Sequence, residues 1–200
     1  MLYLASRSPR RQELLRQIGI GFVELRLREA SGREPDVVER PHPGEAPTDY
    51  SRRIAQAKAE IGARRMQQRG LAPLPVLGAD TEVVLDGAIF GKPADPAAAT
   101  RMLELLSGRR HQVLTTVALC WQGETLLATS VSTVTLRRLS RDDIAAYVAT
   151  GEPFDKAGGY AVQGRAAVFI QRIEGSYSGV MGLPLYETAH LLARITPPVR

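Results

Sequence analysis

The chain has 200 residues, 44% hydrophobic and 24% charged, which is ordinary for a soluble globular protein and suits one domain, residues 1–200, with two lobes. One short apolar run at residues 1–5 gives way at once to arginine and no stretch is long enough to span a bilayer, so neither export nor membrane insertion is expected and a cytoplasmic location is. The single cysteine, Cys120, excludes an internal disulfide, and the net charge of +5 comes from arginines spread along the chain, which suits anionic partners without choosing among them.

The first predicted elements are a short strand at the N-terminus and a helix opened by Ser8 as N-cap and Pro9 at the first helical position, carried on by Glu13, Leu14 and Leu15. Arg10 and Arg11 fall in its first turn, where the unpaired N–H groups and the macrodipole already make the helix end positive. A bound anion would turn that repulsion into shared attraction; otherwise the two side chains bend into solvent. Residues 20–27 read as a strand, residues 28–49 as a polar Pro- and Glu-rich loop or lid, and residues 49–68 as a helix whose apolar face, Ile54, Ala55, Ala59 and Ile61, includes Lys58.

Residues 76–93 read as a strand and hairpin about Asp86-Gly87, a strong tight-turn pair. A two-residue turn sets Leu85 opposite Ala88, Val84 opposite Ile89, Val83 opposite Phe90, Glu82 opposite Gly91 and Thr81 opposite Lys92, which would bring Lys92 beside Asp80. Asp95 and Pro96 open a helix to Leu106, ended by Gly108. Two strands, residues 111–121 and 124–137, flank a Gln122-Gly123 turn, and Ser140 with Asp143 forms a capping box for a helix to Ala149. A Gly-rich passage carrying Asp155, Lys156 and Gln163 leads to a strand at 166–173, and a second one to a final helix from Pro184 to about Ile195. Hairpins mixed with interspersed helices predict an α/β fold with a mixed β-sheet and flanking helices.

The bare residues leave the chemistry open. Asp80 with Lys92 suits metal-assisted phosphate chemistry or is a surface ion pair; Asp155 and Lys156 beside two glycines suit a ligand loop or are a chance charge pair. The P-loop pattern is absent, His42, His111 and His190 show no ligand spacing with Cys120, and Ser178 lacks the nucleophile-elbow spacing.

Taken together and in order, "LASRSPRRQELL", "GEAPTDY" with "IAQAKA", "LGADTEVVLDGAIFGKP", "LELLSGRRHQVLT", "TGEPFDKAGGYAVQG" and "IEGSYSGVMGLP" closely resemble the Maf family of nucleoside triphosphate pyrophosphatases along nearly the whole chain. The resemblance implies a Maf/ITPase-like molecule of two lobes around a deep cleft, usually a homodimer, that cleaves a nucleotide between its α- and β-phosphates with a divalent cation, Mg²⁺ or Mn²⁺. It implies that Asp80 accepts a proton from the attacking water and that Lys92 belongs with it in the catalytic set. Arg10, Thr81 and Gln163 match positions linked to base selection. Ser8, Arg11, Lys58, Lys92 and Lys156, with Asp155 beside them, match positions lining the phosphate cleft, and Glu39 matches an acidic residue that helps Asp80 hold the metal.

"GGYAVQG" and "GSYS" resemble the branch acting on dTTP and UTP. Departures are Glu82 in place of a small apolar residue, Gly179 in place of Asn and Met181 in place of Val; strand alternation turns Glu82 to the face opposite Thr81. The alternative to catalysis is a nucleotide or nucleic-acid binding module, against which stand the lack of a clustered basic stripe and the scattered aromatics, so no stable nucleic-acid complex is expected.

Overall fold

The computed structural model describes residues 1–28 and 34–195; the part of the predicted polar loop at residues 29–33 lies outside them. Seven strands form one mixed sheet: β1 (Leu2–Leu4), β2 (Phe22–Glu24), β3 (Val76–Leu85), β4 (Ala88–Phe90), β5 (Arg110–Trp121), β6 (Glu124–Leu136) and β7 (Ile170–Glu174). Their order is β2-β1-β3-β5-β6-β7, with β4 also on β3. β1 runs parallel to β2 and to β3, and every other pairing is antiparallel. The helices are α1 (Pro9–Gln17), α2 (Pro47–Gln68), α3 (Pro96–Leu106), α4 (Arg141–Val148), α5 (Tyr177–Met181) and α6 (Leu185–Ala193).

The local rules operate as expected at several ends. Ser8, Asp95 and Ser140 each accept a hydrogen bond from a first-turn N–H, and Asp143 completes the capping box on α4. The hairpin pairs Leu85 with Ala88, Val84 with Ile89 and Val83 with Phe90. The predicted strand at 20–27 shrinks to three residues. The predicted strand at 166–173 begins instead as a 3₁₀ turn, Arg165–Phe169, before β7, and α5 is a short helix that sequence reading left inside a loop.

The two faces of the sheet are covered differently. On one face α2 lies along β3 and β5, with Ala55 and Ala59 packed against Ala118 and Cys120. On the other face are two separate apolar clusters. One joins Leu2, Leu4, Leu77, Val117 and Leu119 to Leu14, Leu15, Leu183 and Leu191; the second joins Val83, Leu85, Val113 and Val134 to Leu103, Ile144, Tyr160 and Phe169. Thr81 and Thr115, paired in register and hydrogen-bonded at 3.1 Å, occupy the same face of β3 and β5 between those clusters. A cleft of about 1360 Å³ opens beside that seam.

Candidate active site

The cleft exists because β3 changes partners along one edge. β1 pairs with Val76 and Leu77, and β4 pairs only from Val83 onward, so among the described residues no strand covers that edge at residues 78–82. Successive side chains of a strand point to opposite faces, so Asp80 and Thr81 reach the same cleft from opposite sides of the sheet.

On the α2 face, Gly78 allows the helix to approach. A Cβ there would lie 2.6 Å from the Ala55 carbonyl oxygen and 2.6 Å from the Ala59 amide nitrogen. This close approach sets Lys58 over the strand, where its Nζ donates to Asp80 Oδ1 at 2.8 Å and lies 2.9 Å from Glu39 Oε1. Asp80 is 4% exposed, and its Oδ2 is buried without a hydrogen-bond partner among the described residues. Glu82 also faces α2, as alternation requires, which places it on the side of Asp80. Burial first, and the Asp80 charge second, push its carboxyl above the ordinary range. Tyr50, buried against the same carboxylates, is raised too, by desolvation above all.

On the opposite face the arginines of α1 separate. Arg11 is 9% exposed, and its guanidinium donates to the Gly182 carbonyl at 2.8 Å, to Ser6 Oγ at 3.1 Å and to Thr81 Oγ1 at 3.2 Å. Thr115 Oγ1 donates to the Gly179 carbonyl at 2.7 Å. Arg10 extends instead across the cleft to Asp155, 145 residues away, at 3.1 Å, and Asp155 also pairs with Lys156. The two guanidinium groups thus have different partners, and both residues border the cleft. Arg11 uses three of its five N–H donors on the protein and is buried because it shares the stripe of α1 with Leu14 and Leu15.

The placement of Lys92 beside Asp80 is corrected. The β3–β4 ladder stops at Phe90, two residues short, and the ammonium on Asp80 comes from Lys58. Lys92 is exposed on the wall of the same cleft, as is Gln163. Ser8, the N-cap of α1, and half-buried Lys156 also border it. All the residues singled out from sequence thus border one cavity. What sequence reading missed is that Lys58 pairs with Asp80 and that Arg11 holds Thr81.

The arrangement offers a carboxylate with one oxygen engaged and one unpartnered, beside ammonium and guanidinium groups suited to polyphosphate. Oxygen donors from Asp80 and Glu39 match the preference of Mg²⁺ or Mn²⁺, and the buried, unpartnered Oδ2 of Asp80 is what such an ion would satisfy. Among the described residues no three acidic, histidine or cysteine side chains are preassembled as a cation cage. Mg²⁺ typically binds through one or two carboxylates plus substrate phosphates and water, so the residues present fit it.

The Maf-like protein family model matches residues 1–195. A relative from Nitrosospira multiformis, named dTTP/UTP pyrophosphatase, is 59% identical over 191 residues, covering 96% of this chain and 92% of its own. One of the same name from Aromatoleum aromaticum is 55% identical over 199 residues, covering 99% and 97%. Among solved structures, the Ham1 protein of Staphylococcus aureus overlaps 68% of this chain and 71% of its own, at a TM-score of 0.41 and 14% identity. With a family match over nearly its whole length, and relatives of such identity along the same span, the chain belongs to the Maf family.

Proposed function

We propose that the protein hydrolyses dTTP and UTP to the monophosphate and pyrophosphate, at Asp80, with a divalent cation. The observation that carries this reading is the buried Asp80 carboxylate, held at Oδ1 by Lys58 and unpartnered at Oδ2, on the floor of a cleft large enough for a nucleotide. Its support from outside the structure is the shared name of the relatives above.

In this reading Asp80 accepts a proton from the water that attacks the α-phosphorus, and Lys58 keeps the carboxylate oriented. The cation, held by Asp80 and Glu39, supplies charge neutralisation for the phosphates when bound. Lys92, Lys156 and Arg10 face the charge that gathers on the leaving pyrophosphate; Arg10 and Lys156 must then exchange Asp155 for phosphate oxygens. Thr81 and Gln163 meet the base, with Arg11 fixing the Thr81 hydroxyl and Ser8 holding the α1 terminus beside them. Homodimeric assembly belongs to the same proposal and rests on the family resemblance; a cytoplasmic location belongs to it too and suits the single cysteine.

The test is a panel of nucleoside triphosphates incubated with the purified protein and Mg²⁺ or Mn²⁺, with pyrophosphate, orthophosphate and monophosphate measured separately. Pyrophosphate with monophosphate, strongest for dTTP or UTP, is the expected result. Orthophosphate release alone, or binding without turnover, would replace the reading by a phosphatase or by a non-catalytic nucleotide-binding module.

A further inference from the structure

The wall of the cleft facing Thr81 is formed by residues 156–163, a segment held to the body of the protein at a few points. Gly158, at φ +67°, lies so close to Val83 that a Cβ would stand 2.8 Å from it, and its N–H donates to the Gly91 carbonyl at 3.1 Å. The Ala161 N–H donates to Tyr147 Oη at 3.3 Å, and that hydroxyl donates to Glu152 Oε1 at 2.8 Å. The remaining anchor differs in kind. His111 on β5 is hydrogen-bonded through Nε2 to the hydroxyl of Tyr160 at 2.7 Å, with the two rings edge to face at 5.4 Å.

His111 is 3% exposed and sits beside an apolar cluster that contains Tyr160 itself. Its Nδ1 has no hydrogen-bond partner among the described residues. Burial lowers the imidazole to about 4, so the ring is neutral under ordinary conditions. A buried side chain with one of two polar atoms unpaired is a poor choice for filling space, and its one good hydrogen bond ends on the segment that continues directly into Ala161, Val162 and Gln163. Tyr160 is itself 6% exposed, so the bond acts from behind the wall rather than from within the cleft.

We propose that His111 is a positioning residue for nucleotide recognition: through the Tyr160 hydroxyl it pins the segment bearing Gln163 against the sheet, and so governs affinity for the nucleotide rather than the rate of its cleavage. The proposal rests on the reading that this cleft binds a nucleoside triphosphate. It requires that removing either end of the bond have the same consequence, since each loses the same contact.

The experiment compares Tyr160→Phe, His111→Leu, the double variant and His111→Gln, using steady-state kinetics with UTP and direct binding of a non-hydrolysable α,β-imido UTP. Each single variant should raise KM and the analogue Kd by roughly three- to tenfold, with kcat within about twofold, as one buried hydrogen bond allows. The double variant should be no worse than either single one, and His111→Gln, which keeps a side-chain donor, should recover much of the loss. Unchanged KM and Kd with a lowered Tm would overturn the proposal and leave the pair a purely structural contact, and so would effects that multiply in the double variant. Should His111→Leu fail to fold, Tyr160→Phe, which removes a single oxygen atom, decides the matter alone. Wild-type protein that binds the analogue without turning over UTP would defeat the pyrophosphatase reading while the binding arm still judges this one.

Discussion

Asp80 and Thr81 are neighbours on one strand, yet they belong to two differently built regions. The Asp80 side is a helix laid directly on a sheet, with backbone within touching distance of backbone at Gly78 and small residues throughout the contact. The Thr81 side is assembled from loops and helix ends that are distant in sequence, tied together by the Arg11 guanidinium and by hydroxyl-to-carbonyl hydrogen bonds. A general base must be held to a fraction of an ångström and gains from rigid elements, whereas a wall that meets the substrate can be made of segments each fastened at a few points. In the proposed reading, the difference separates a catalytic face from a recognition face within a single pair of residues.

Breaking the first face should cost the most activity. Asp80→Asn keeps the shape and removes the proton acceptor, and kcat for UTP is expected to fall by about 10²–10⁴ with nucleotide binding still measurable by calorimetry. A near wild-type rate would take Asp80 out of the chemistry. Next comes Gly78→Ala, which forces α2 off β3; a loss of about 3 kcal/mol in urea unfolding is expected, at the upper end for overpacking because the clash is with backbone. Unaltered stability would show that α2 is held by something other than this approach.

On the recognition face, Arg11→Lys retains the charge but cannot reach Gly182, Ser6 and Thr81 together. It should lower stability by about 1–3 kcal/mol and raise KM more than it lowers kcat. An equal fall in kcat and kcat/KM would place Arg11 in the transition state instead. The smallest effect concerns the segment that carries Glu39. Asp36 accepts from Arg65 on α2 and from the Arg28 N–H, and these bonds, the Arg65 side chain foremost, hold its carboxyl down at about 2. A carboxyl lowered in the folded state stabilises above its unfolded value near pH 4, and that contribution disappears as the pH falls toward 2. Asp36→Asn should flatten the Tm profile between those limits; a profile identical to the parent would show that other carboxylates govern acid stability.

Much of this organisation is legible in the chain. The Asp86-Gly87 turn fixes three hairpin pairs, Ser8, Asp95 and Ser140 cap where their hydroxyl or carboxylate groups permit, and simple alternation separates Glu82 from Thr81. Extending the hairpin register past Phe90 fails because the chain leaves β3 there, the Gly91 carbonyl accepting instead from the Gly158 N–H, and that extension alone sets Lys92 in place of Lys58. The correct partner carried a signal: Lys58 sits beside Ala55 and Ala59 on a helix face of small residues, where a glycine strand can come close. Arg11 carried one too, since it precedes Leu14 and Leu15 by three and four residues and so shares their buried stripe. The short helix α5 and the turn at Arg165–Phe169 depend on tertiary packing around Thr115 and β7, and five-residue elements leave no period to read.

The uncovered edge of β3 at residues 78–82 has a consequence for how the protein behaves in company. An exposed strand edge is a template on which another extended chain can add itself, and aggregation starts readily from such places. Here the gap is five residues long, closed at either end by β1 and β4, recessed in a cleft and flanked by Asp80, Glu82 and Lys58. A compact anionic ligand fits where a peptide strand lacks the length to pair, so an opening of the kind proposed for substrate is a poor template for other polypeptides.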